Sequence, residues 1–125
     1  MTVSEALLNC ISAALDGREC ALTLAPDDWT ALLRLAGEQK LLPLVYAAVR
    51  GTPGFAAAPE AVRAAARRQT MREAAAQTVH TEAFLRLYQA LRAEGLAPVV
   101  VKGIVCRALY PQPELRPSSD EDLYL

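Results

Sequence analysis

Between Pro59 and Gly95 the chain runs without an interior glycine or proline. Strands in a compact domain are short and are separated by turns that draw on those two residue types. The run therefore predicts a long helix over 59–95, approaching about 50 Å at about 1.5 Å rise per residue. Two collinear helices are the alternative, with a break near Thr78-Val79-His80. The first half is rich in alanine, which permits close helix packing but supplies little apolar area. The second half carries Phe84, Leu87, Tyr88 and Leu91 at helical spacing and stops at Gly95.

Shorter helices precede it. Thr2 and Glu5 have capping-box spacing, Leu7, Leu8, Ile11 and Leu15 recur on one face, and Gly17 can close the end, which predicts a helix from Val3 to about Asp16. Arg18 to Pro26 is a link in which Cys20 to Leu24 has extended character. A second helix is expected from about Asp27, whose side chain would cap it, to Gly37 or Glu38, with Trp29, Leu32, Leu33 and Leu35 giving it a buried face. Trp29 continues that stripe and reads as core. A third helix fits Pro43 to Arg50, with proline in its first turn. Gly51 to Ala58 holds two glycines and one proline, is followed at once by Pro59, and reads as a linker. The expected organisation is a helical region over 1–50, a linker over 51–58, the long helix over 59–95 and a small α/β unit over 96–125.

With 53% apolar residues and a net charge of −1, the chain belongs with globular proteins, and bulk electrostatic attraction to nucleic acid is not expected. No apolar run is long enough for a membrane span, and the N-terminus lacks a signal core, so a cytoplasmic protein without a membrane partner is expected. Cys10, Cys20 and Cys106 are odd in number and lack metal-ligand spacing, which predicts reduced packing thiols. Arg63, Arg67, Arg68 and Arg72 lie largely along one side of the long helix, either as a phosphate or RNA surface or as a solvated face balanced by Glu60 and Glu73. His80 has no Ser, Cys or acidic partner at catalytic spacing and reads as a surface or partly buried helix residue.

The chemistry gathers in the last quarter. Val99 to Val101 is a β-branched run behind Pro98, a brief strand. Lys102-Gly103 would end it in a tight turn, and Ile104 to Leu109 would form a short helix whose N-terminal amides make an anion seat. Three prolines between Pro111 and Pro117 impose an ordered loop. Asp120 to Leu125 reads as a second strand on which Asp120 and Asp122 share a face, roughly 6–7 Å apart. Paired carboxylates at that spacing suit divalent cations that also bind phosphates.

The order Lys-Gly, a short helix ending in Tyr110-Pro111, then Leu115-Arg-Pro-Ser-Ser-Asp-Glu-Asp122 resembles the uncharacterised bacterial nucleotidyltransferase family of the DNA polymerase β superfamily. Asp28 to Ala36 and Leu42 to Tyr46 are similar to that family's N-terminal helical region. The resemblance implies an α+β, mostly α fold, in which an N-terminal helical region and a long helix lead into the first two strands of a nucleotidyltransferase-like unit. It implies Gly103 at the phosphate turn, Asp120 and Asp122 as Mg²⁺ ligands, and Lys102 and Arg116 as phosphate contacts, with an NTP as candidate ligand. Transfer of a nucleoside monophosphate to an unknown acceptor is the activity it implies for the complete form. Two features depart from the pattern. The position between the aspartates is usually apolar and core-facing but is Glu121 here, which must lie at an exposed edge, be paired, or mark a degenerate site. The third carboxylate normally follows this point, so the expectation is a chain truncated after the Asp-x-Asp motif and inactive alone, with its strand edges covered by a downstream segment or by homo-oligomerisation. The alternative is a non-catalytic dimerisation or partner-binding module derived from that fold.

Overall fold

The computed structural model of the protein describes residues 1–116 and 121–125. It is α+β and mostly helical, as the sequence predicts, with six helices and one two-stranded antiparallel sheet among the described residues. The chain divides into two compact units, Met1–Arg72 and Glu73–Leu125. The helix α5, Glu60–Ala93, runs through that division without a break, Thr78-Val79-His80 included. The Thr78 hydroxyl is absorbed by donating to the Ala74 carbonyl at 3.1 Å.

In the first unit, α1 (Val3–Leu15) starts where the capping box predicts: the Glu5 amide donates to Thr2 Oγ1 at 3.1 Å and the Thr2 amide to the Glu5 carboxylate at 2.7 Å. Its buried stripe is Ala6, Leu7, Cys10 and Ala13, while Leu8 and Leu15 face solvent. Three of these four are small, which lets α1 pack closely against its neighbours, α2 and α3. The helix α2 (Pro26–Glu38) differs from expectation at its start. Ala25 is the N-cap without a side-chain bond, Pro26 is the first helical residue, and Asp27 and Asp28 lie in the first turn. Proline needs no amide partner there, and the two carboxylates complement the positive end of the helix.

The helix α3 (Leu42–Val49) buries Leu42 to Val45, Ala48 and Val49. Residues 51–58 contribute to this core. Thr52 donates to the Val49 carbonyl at 2.7 Å and caps the short α4 (Pro53–Ala56), which inserts Phe55. Trp29 is core, 1% exposed, with its ring edge-on to Phe55 at 5.4 Å. The link after α1 is tied down by the Cys20 amide donating to the Ala48 carbonyl at 2.8 Å, which buries Cys20 and Leu22.

The second unit is smaller. Alongside the C-terminal part of α5 it holds β1 (Val99–Val100), the four-residue α6 (Ile104–Arg107), a 3₁₀ turn at Pro113–Leu115, and β2 (Leu123–Tyr124). Val99 pairs with Tyr124 and Val100 with Leu123. Phe84 and Leu115 supply its buried apolar side chains. Among the described residues, no helix is long and apolar enough to cross a membrane.

Candidate functional site

Gly103 joins β1 to α6 with φ 69° and ψ −107°, a conformation that side chains oppose and glycine does not. The turn therefore forms where the sequence places it. The short ladder continues past β1, with the Val101 amide donating to the Asp122 carbonyl at 3.2 Å. That bond sets Asp122 beside the turn, and Lys102 Nζ lies 2.9 Å from Asp122 Oδ2, both side chains about half exposed. An ion pair this exposed is worth about 0–1 kcal/mol and is readily exchanged for another partner.

Glu121 faces the other way, and its carboxylate lies among several groups of the described residues. Oε1 is 2.6 Å from Arg107 Nη2 and 3.3 Å from His80 Nε2, while Oε2 accepts from the Ile104 amide at 2.7 Å. Arg107 Nη2 also donates to Thr81 Oγ1 at 3.0 Å. The Arg107 and Glu121 side chains are 2% and 6% exposed, so the ion pair is buried. One carboxylate thus holds both ends of α6 and lies beside His80 of α5. The alternation of side chains along an extended segment then directs Asp122 to the accessible face.

The departure at Glu121 accordingly resolves as pairing. Burying its carboxylate is tolerated because Arg107 and the Ile104 amide replace its water. One expectation is altered by this arrangement. The first amide of α6, counted above as part of an anion seat, is already committed to Glu121. Of the remaining sequence-predicted residues, Arg116 is half-buried, with its guanidinium 5.7 Å from the Tyr110 ring centroid, and Asp120 lies outside the described residues. Among the described residues, no three His, Cys, Asp or Glu side chains gather where a metal ion would be held.

His80, Thr81 and Arg107 were missed as partners of this segment. The available signal was compositional. Arg107 lies within the apolar run Ile104-Val-Cys-Arg-Ala-Leu109, where a burial-prone cation calls for a buried anion.

A glycine turn after a strand, a short helix, and an acidic segment returning antiparallel to that strand define a nucleotidyltransferase-like protein. The chain belongs to the uncharacterised nucleotidyltransferase family, whose model matches residues 25–125. Neither the curated proteins nor the solved structures include a significant match.

Proposed function

We propose that the protein serves nucleotidyl transfer, with Asp122 and Asp120 as the ligands of Mg²⁺ and an NTP as substrate. The observation that carries this reading is the division of labour at Glu121-Asp122. Glu121 is consumed as a buried anchor, whereas Asp122 presents a half-exposed carboxylate whose ion-pair partner among the described residues is Lys102. Hard oxygen donors of this kind suit Mg²⁺, which binds through one or two carboxylates together with substrate phosphates. When bound, the ion would neutralise charge on the phosphates undergoing displacement.

The chain's own residues do the rest. Gly103 removes the side chain that would block close approach of a phosphate to the turn. Lys102 supplies a point charge to a phosphate oxygen. Arg116 supplies a second cation, oriented by Tyr110. The Glu121–Arg107–His80 cluster positions the turn and the acidic segment against each other. The acceptor would bear a hydroxyl nucleophile.

Binding of a fluorescent NTP with and without Mg²⁺ tests the site. Replacing Asp120 and Asp122 together with asparagine is expected to abolish Mg²⁺-dependent binding; unchanged binding rejects the assignment. A second reading, an interaction module, is favoured by the apolar exposure of Val99, Val101, Tyr124 and Leu125 on the two-stranded sheet. It requires mass to rise with concentration in light scattering, and a strict monomer argues against it.

A further inference from the structure

The first unit contains a cavity of about 290 Å³ walled by α3, α4 and the beginning of α5. Its lining includes Tyr46, Arg50, Phe55, Glu60, Arg63 and Arg67. The α5 residues among these stand at helical spacing on one face, and Arg50 is the residue that ends α3. Of the four arginines in the helical row noted in the sequence, Arg63 and Arg67 reach this cavity, while Arg68 and Arg72 are not part of its wall.

Three guanidinium groups against one carboxylate give the cavity a net charge of +2 in a chain whose overall charge is −1. None of the three forms an ion pair among the described residues. Clustering like charges around a concavity focuses a positive potential there, which an anion relieves. Arg63 is half-buried and its Nε donates to the Ala58 carbonyl at 3.0 Å, which fixes the guanidinium plane and leaves its terminal nitrogens for a ligand. Such a fork matches the spacing of phosphate oxygens.

The opposite wall is preformed. Phe55 is buried against Trp29, and Tyr46 meets Phe55 edge-on at 5.9 Å, so the aromatic surface is held in place before any ligand arrives. Glu60, exposed at the rim, is an acceptor for a hydroxyl group. A dianionic head, a compact body that can lie on an aromatic face, and a hydroxyl donor together describe a small hydroxylated phosphate monoester. We infer that this cavity binds such a ligand, of sugar-phosphate chemistry, independently of the acidic segment in the second unit.

The test uses the full chain at low ionic strength without Mg²⁺, with ribose 5-phosphate, inorganic phosphate and a short single-stranded RNA as probes in NMR titrations. Ribose 5-phosphate is expected to shift the Tyr46 ring and the Arg50, Arg63 and Arg67 side-chain signals saturably, and more tightly than inorganic phosphate. The double variant Arg50→Gln/Arg67→Gln should weaken binding by at least about tenfold, the loss expected for one hydrogen bond to a charged group. Both arginines are exposed, so the variant should keep the Trp29 and Phe55 signals of the native core. Asp122→Asn should bind as the native chain does, which keeps this result separate from the fate of the nucleotidyl-transfer reading. The inference is overturned if Tyr46 does not shift at millimolar ligand, or if the double variant binds unchanged. It is equally overturned if shifts are confined to the second unit, or if RNA displaces ribose 5-phosphate and binds more tightly.

Discussion

Replacing Glu121 with alanine should destabilise the second unit far more than one side chain near a surface segment ordinarily does. The substitution removes the 2.6 Å partner of Arg107, whose side chain is 2% exposed and cannot recover its hydration without local opening. Removing one member of a buried pair costs about 3–5 kcal/mol, mostly the uncompensated charge left behind. The Ile104 amide loses its 2.7 Å acceptor as well, which adds to the loss to the extent that water cannot replace it. A local reporter is preferable to global unfolding because Trp29 lies in the other unit. Hydrogen exchange at the Ile104 amide serves, and 3 kcal/mol corresponds to roughly a hundredfold loss of protection. The double variant Arg107→Met/Glu121→Leu, which removes both charges at similar volume, should recover most of the stability. Unchanged Ile104 exchange in Glu121→Ala, or a double variant as unstable as the single one, would refute the anchoring role.

Two further outcomes are expected in the first unit. Gly54→Ala should destabilise the unit by about 1–3 kcal/mol, lowering the urea midpoint followed by Trp29 fluorescence, because its Cβ would overlap the Leu22 carbonyl oxygen; an unshifted midpoint rejects this packing. Burial, and after it the neighbouring Cys20 thiol, push the Cys10 thiol up to about 12. The folded state therefore disfavours the thiolate. Its contribution to stability is complete below the unfolded thiol value of about 8.5 and is lost as pH rises toward about 12. Stability should decline with pH over that window, less steeply in Cys10→Ala. Iodoacetamide near neutral pH should modify the half-buried Cys106 well before Cys10, and equal rates would contradict the assignment.

Local signals alone determined much of this protein. The glycine-free and proline-free run forced α5, Thr2 and Glu5 placed the start of α1, and Gly103 marked a backbone turn that only glycine adopts comfortably. Each is a short-range effect, resolved within one or two helical turns, so sequence spacing carries it. The order of Lys102, Gly103 and the acidic segment likewise made the family legible. What tertiary structure decided is which groups meet. Glu121 could be judged expensive to bury, but its remedy lies at Arg107 and the Ile104 amide, which reach it only when α6 meets the returning segment. The gathering of Arg50, Arg63 and Arg67 around one cavity depends in the same way on how α3 and α4 meet α5. Phe55 entered the core because a capped turn of helix formed in a stretch whose composition suggested a linker. Burial and ion pairing are properties of the packed assembly, and no periodicity within a single element encodes them.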